Sequence, residues 1–206
     1  MQGLAEAFDD YSPMTVEEQF ENLPEGTRAE LIGGKIIMMS SLTIPHQLAA
    51  GAIFLQFGIY LEGNTCEVLY NMDVQMEEDC PDVVRPDITI VCDPAKTQNP
   101  RRIYGVPDLI VEVLSPSNPG NDFLLKMNKY LLAGVREYWV VDTERRIVHV
   151  YILTNKQFVS TVYGANQSIK VSIFDDCTVD LSRVFPPEEA IPDTEDAATA
   201  QLPSQP

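Results

Sequence analysis

Histidine occurs twice, cysteine four times and glycine eleven times in 206 residues. Each shortage excludes something. His46 and His149, with Cys66, Cys80, Cys92 and Cys177 far apart and no C-x-x-C pair, leave no zinc constellation. A metal in this chain would be held by oxygen, which suits Mg2+ or Mn2+. Few glycines and 45% apolar content rule out a collagenous or wholly disordered chain. The N-terminus has no basic region followed by an apolar one, so no secretory signal is read. The expected location is cytoplasmic, and the four cysteines are expected as reduced thiols. The longest apolar stretch, Leu48 to Leu61, carries Gln56, and at about 14 residues it is too short to span a bilayer. No membrane association is expected.

Bases are missing from both ends. The net charge is −17, from 31 acidic and 14 basic residues. Taken whole, that argues against a phosphate-binding protein, which needs clustered Lys and Arg. The distribution changes the reading. Residues 1–26 carry Glu6, Asp9, Asp10, Glu17, Glu18, Glu21 and Glu25 without one base. Residues 186–206 carry Glu188, Glu189, Asp193, Glu195 and Asp196, again without one. The middle, 27–185, has an ordinary balance and is long enough for one domain with a core. Residues 1–26 read as an acidic segment with a short helix from Thr15 to Leu23. Residues 186–206 read as an acidic tail too poor in apolar residues to order itself.

Periodicity then orders the domain. Gly33-Gly34 inside Glu30 to Met38 predicts a hairpin with a two-residue turn. Pro45 opens a helix to Leu61, with His46, Ala50, Ile53, Phe57 and Leu61 on one stripe. Strands are predicted over Glu67 to Met76, Asp87 to Val91, Leu109 to Leu114 and Glu137 to Asp142. A helix from Asp122 to Ala133, ended by Gly134, separates the last two. Ile147 to Leu153, Phe158 to Tyr163 and Ile169 to Phe174 are expected as an antiparallel meander. The result is an α/β domain with a mixed sheet and helices on its faces.

One residue is anomalous. Glu112 lies inside Leu-Ile-Val-Glu-Val-Leu, where a carboxylate is costly unless paired or bound to a cation. Pro86-Asp87 opens the preceding strand, and the connection lets Asp87 and Glu112 lie side by side. Two such carboxylates bind a hard divalent cation; a buried Glu112 satisfied by an arginine or by backbone groups is the other reading. Asp108 sits four residues from Glu112 on one strand, roughly 13 Å away, too far to share a metal with it. It reads as a strand-start residue. On the next helix the inward stripe is Phe123, Met127, Tyr130, Leu131 and Gly134. Lys126 lies on its shoulder and can reach Glu112, or can simply snorkel along the core edge. Lys129 is expected in solvent. His46 either orients a ligand or is a core histidine. Arg85 either contacts a phosphate or is a surface charge. Ser115 belongs to a turn, Ser115-Pro116-Ser117-Asn118, beside the site.

This set resembles the Uma2 family, also called DUF820, which is abundant in cyanobacteria and lies within the PD-(D/E)XK nuclease-like superfamily. The segments that carry the likeness are Glu30 to Lys35, His46, Arg85-Pro86-Asp87, Pro107 to Ser117, Asp122 with Lys126 and Tyr130, and Ala133 to Asp142. The resemblance implies a restriction-endonuclease-like core, α-β-β-β-α-β, with the N-terminal hairpin and C-terminal antiparallel strands added. It matches Asp87 to the motif aspartate and Glu112 to the (D/E) position. Leu114 stands where the superfamily has lysine, and Lys126 on the following helix takes that place. The implied activity is Mg2+-dependent hydrolysis of DNA phosphodiesters, with Asp87 and Glu112 on the metal and Lys126 on water and phosphate. Glu30, His46, Arg85, Ser115 and Tyr130 would support them. The alternative expectation is a catalytically inactive nuclease fold acting as a binding module. Self-association as a homodimer through the C-terminal strands is a further expectation.

Overall fold

The computed structural model describes residues 14–115 and 120–187. The outer parts of both acidic ends, and Pro116, Ser117 and Asn118 of the expected turn, lie outside the described residues. The chain begins with α1 (Val16–Glu21), whose cap is reciprocal. Thr15 Oγ1 accepts the Glu18 N–H at 3.2 Å, and the Glu18 carboxylate accepts the Thr15 N–H at 2.8 Å. Next, β1 (Ala29–Ile32) and β2 (Lys35–Met38) form the predicted hairpin. Gly33 and Gly34, at φ of 57° and 71°, supply the turn. In α2 (Ile44–Leu61) Thr43 is the cap, Pro45 sits in the first turn, and all five stripe residues are buried.

The helix starts earlier than the apolar stretch that announced it. At 18 residues it is long and apolar enough, by length and composition alone, to cross a membrane. That corrects the expected shortness. Its inner face packs on the sheet, as a core helix does.

The strands that follow are β3 (Glu67–Tyr70), β4 (Asp73–Gln75), β5 (Ile88–Val91), β6 (Arg102–Tyr104) and β7 (Leu109–Val113). Then come α3 (Gly120–Ala133), β8 (Glu137–Asp142), β9 (Ile147–Thr154), β10 (Gln157–Gly164), β11 (Ser168–Lys170) and β12 (Thr178–Asp180). Six strands make the main sheet in the order β10-β9-β8-β7-β5-β3. Within this sheet, among the described residues, only β7 and β8 are parallel, and α3 is the crossover between them. Within this sheet the run α2, β3, β5, β7, α3, β8 is the expected α-β-β-β-α-β core. The fold is mixed α/β, with the hairpin before the core and antiparallel strands after it.

Side-chain alternation divides the core into two layers. Ile88, Ile90, Leu109, Val111, Trp139 and Val141 pack with α2 and the C-terminal strands. Val91, Ile110, Tyr138 and Val140 pack with Tyr130 of α3 and with Val74 and Ile103 of β4 and β6. Strands covered on both faces explain the near-continuous apolar runs read in β5, β7 and β8.

Three element expectations are corrected. The single strand from Glu67 to Met76 is two, because Asn71 takes a left-handed φ of 52°. After that kink β4 leaves the main sheet and pairs parallel with β6, a strand too short to show a period. Ile169 to Phe174 is not a third meander strand. There β11 ends at Lys170 and pairs with β12, and the Ser172 N–H goes to the buried Glu137 carboxylate at 2.7 Å.

The cysteine expectation is also corrected. Cys66 and Cys92 form a disulfide, with Cα atoms 3.9 Å apart. They flank the β3–β5 pair Glu67↔Val91, so the antiparallel register sets them opposite each other. Cys80 is half-buried and Cys177 buried, both as thiols. Burial, aided by Asp176 and Glu137, pushes the Cys177 thiol up to about 11. Native, unreduced protein should therefore take one iodoacetamide adduct at mildly alkaline pH, on Cys80. Unfolding should give two and unfolding with reductant four, counted by intact mass.

Candidate active site

Two antiparallel strands build the centre. The β5–β7 register pairs Ile88 with Val111, so one step further sets Asp87 opposite Glu112. Asp87 is 4% exposed. Its Oδ2 accepts the Val113 N–H at 2.8 Å and lies 3.1 Å from His46 Nε2. His46 stands in the first turn of α2, so the Thr43 cap places it over the start of β5. Glu112 and Ile110 share a side of β7, toward α3. Tyr130 donates its hydroxyl to Glu112 Oε1 at 2.7 Å, and Lys126 Nζ reaches the same oxygen at 3.1 Å. Lys126 and Tyr130 are one helical turn apart, which is why both meet one acceptor.

Glu30 completes the group from the hairpin. Its Oε1 lies 2.7 Å from Lys126 Nζ and accepts the Arg85 N–H at 2.7 Å. Glu30, His46, Asp87 and Lys126 are all buried. Lys126 is thus an ammonium held between two carboxylates, with a third nearby. Burial alone would lower its pKa, but Glu112 and Glu30 outweigh burial and hold it above the ordinary lysine value. The excess of acid falls on Glu112. Burial, then the Asp87 and Glu30 charges, push it up to about 7 against the pull of Lys126 and Tyr130.

The expected site residues therefore divide. Asp87, Glu112, Lys126, Glu30, His46 and Tyr130 converge. Arg85 does not bring its charge there: its Nε bonds Asp73 at 2.6 Å and its Nη1 the Thr27 carbonyl at 3.2 Å. Only its backbone N–H touches the group. Ser115 is half-buried two residues beyond the end of β7. Lys129 is not in solvent as expected but half-buried and paired with Asp82. Asp108 is a strand-start residue, accepting the Cys92 N–H at 2.9 Å and pairing with Arg136 at 3.1 Å. Sequence reasoning missed three neighbours. The Val113 amide leaves no sequence signal. Tyr70, opposite Ile88, donates to Gln47 at 3.0 Å beside His46. The adjacency of Gln47 to His46 was the available clue.

The donor set can be tested against a divalent cation. His46 and Val113 bond Oδ2 of Asp87, and Lys126 and Tyr130 bond Oε1 of Glu112. Those bonds leave aside the second oxygen of each acid. Two carboxylates suit Mg2+, which keeps much of its water shell. Among the described residues no group of three or more metal-ligating side chains gathers. Asp87 and Glu112 are the residues that could hold such a cation, with water completing its shell.

The Glu112 shift carries a pH signature. Its folded pKa lies above its unfolded value near 4.5. Native protein holds a proton that the unfolded chain releases, so stability is lost as pH rises from about 4.5 to about 7. The loss is on the order of 3 kcal/mol. Glu112→Gln should flatten the melting temperature across that window, measured by calorimetry.

Comparison with known proteins places the fold and the family. A family model described as "Uma2: Putative restriction endonuclease" matches residues 17–182. A solved structure described as "a putative nuclease belonging to DUF820" from Anabaena variabilis superposes with a TM-score of 0.69 at 17% identity. The match covers 84% of this chain and 98% of that one, and at this identity it speaks for the fold. None of the curated proteins matches. With more than half of its length matched, from α1 to the end of the C-terminal strands, the chain belongs to the Uma2 family.

Proposed function

We propose that this chain is a divalent-metal-dependent nuclease that hydrolyses DNA phosphodiester bonds. The observation that carries the reading is the juxtaposition of Asp87 and Glu112 across β5 and β7 with Lys126 drawn onto Glu112. The family's description as a restriction endonuclease group supports it at the level of the family.

Asp87 and Glu112 would hold Mg2+ or Mn2+. When bound, such an ion supplies Lewis acidity toward a phosphate oxygen. The remaining work falls to the chain. Lys126, kept protonated by Glu112 and Glu30, donates hydrogen bonds and offsets phosphate charge instead of acting as a base. Glu30 and Tyr130 fix where its ammonium and the Glu112 carboxylate stand. His46 fixes Asp87. Asp87→Ala or Lys126→Ala should lower divalent-dependent cleavage of a DNA duplex by about a hundredfold or more while the protein stays folded. Full activity in both variants would sink the reading.

One observation favours a second reading. Lys126 already bridges Glu30 and Glu112, so the acids have a partner without a metal. A nuclease fold so balanced could serve as a non-catalytic binding module. Titration calorimetry separates the two. The nuclease reading expects Mn2+ or Mg2+ binding at millimolar concentration or below, lost in Asp87→Ala. Heatless titrations together with uncut DNA would select the binding module.

A further inference from the structure

The outer face of α2 is uncovered among the described residues. Ile44, Leu48, Leu55 and Ile59 are between 55% and 76% exposed. At about 100° per residue they fall, with Gly51, on one stripe directly opposite the buried stripe of His46, Ala50, Ile53 and Phe57. No Asp, Glu, Lys or Arg lies between Ile44 and Leu61. A surface helix carries polar residues on its outer side, whereas α2 is aliphatic there as well. A helix apolar all round is one that is covered all round, and the sheet covers only one side.

Gly51 is a second observation. It stands exposed in the middle of the helix, where glycine is the poorest helix former after proline. A Cβ at Gly51 would meet nothing within 4 Å. The chain's own packing therefore gives no reason for a glycine there. Close approach of another backbone does.

The order of the stripe says which backbone. Ile44 and Ile59 stand equally far from the midpoint between Gly51 and Ala52, and so do Leu48 and Leu55. The stripe reads the same in both directions. Laid antiparallel on a second copy of itself, it sets Ile44 on Ile59 and Leu48 on Leu55, with the glycines at the crossing point. Such self-complementarity is what a twofold interface requires, because one patch serves both sides. Charge agrees. In α2 no acidic residue lies in the first turn and no basic residue in the last. Glu62, exposed just past the C-terminus, comes beside the start of the second copy's helix, where a carboxylate is favoured. Two chains of net charge −17 repel least across an uncharged face. The four aliphatic side chains present roughly 500 Å2 per copy, so pairing removes on the order of 1,000 Å2, the size at which specific interfaces begin.

We propose that two copies of this chain pair through the outer face of α2, antiparallel about a twofold axis that passes between Gly51 and Ala52. Self-association is thereby assigned to α2 instead of the C-terminal strands. The inference is independent of the nuclease reading, since His46 lies on the opposite side of the helix.

The test is sedimentation equilibrium of the full chain in the micromolar range, where a dimer is expected. Leu48→Glu and Leu55→Lys should each weaken it about a hundredfold or more while circular dichroism stays that of the wild type. An equimolar mixture of those two variants should regain the dimer, because the register sets the acid of one on the base of the other. Gly51→Leu, whose Cβ has room in a single chain and which favours the helix, should also be monomeric. Leu132→Glu, equally exposed but on α3, should leave the dimer unchanged. A dimer that persists in both Leu48→Glu and Leu55→Lys overturns the inference, and a mixture that stays monomeric overturns the antiparallel register. A monomeric wild type overturns it as well; if that monomer floats with phosphatidylcholine vesicles the face belongs to lipid, and if it does not the face belongs to the chain's own ends or to another protein.

Discussion

One ammonium among three carboxylates ties this molecule together. Lys126 comes from the crossover helix, Glu30 from the hairpin and Glu112 from the middle of the sheet. The hairpin is far from the other two in the chain, and each element would bury a charge at considerable cost alone. Their meeting fixes how the hairpin sits on the sheet and how α3 is turned about its axis. It also leaves a net negative site, and burial together with that excess of charge gives Glu112 its raised pKa. Stability and chemistry draw on the same few atoms, so a substitution there is read correctly only when folding and activity are measured together.

The two halves of the acid pair were legible in the sequence because each broke a local rule. A glutamate inside an apolar strand and a Pro-Asp at the head of another are visible without a third dimension. The connection between them is long enough to fold back and set the two strands side by side. Lys126 was legible from helical phase, and Gly33-Gly34 from turn chemistry. What failed depended on partners far away in the chain. Arg85 stands beside Asp87, yet Asp73 and the Thr27 carbonyl turn its guanidinium aside. Lys129 points away from the stripe, yet Asp82 draws it from solvent. Cys66 and Cys92 become neighbours only through the register of β3 on β5, which spacing does not reveal. Asn71 breaks a strand at a residue whose left-handed backbone has no periodic trace. Glu137, fully buried under Trp139 and Ser172, is a structural acid that composition could not separate from a functional one.

The charge of the chain is compatible with a phosphate substrate on these terms. A net negative chain gives little long-range attraction to DNA, so under the nuclease reading affinity would come from a few local groups and from a cation at the centre. Such binding would be shallow in salt, because the slope follows the number of phosphate contacts, and it would discriminate little by base. Specificity would then come from shape or from partners, as it does for proteins that contact mainly the backbone.

The Cys66–Cys92 bond has a consequence for assembly. It closes a covalent ring of chain that contains Asp87 but not Glu112, Lys126 or Glu30. An unfolded chain with the bond intact still carries β3 and β5 tethered, with Asp87 on the ring and its counterpart outside it. The acid pair therefore comes into being only when β7 docks along β5 and α3 closes over it. A partly ordered intermediate that keeps the ring is chemically blank. Any chemistry that needs Asp87 and Glu112 together would thus report the finished domain, and the ring alone cannot imitate it.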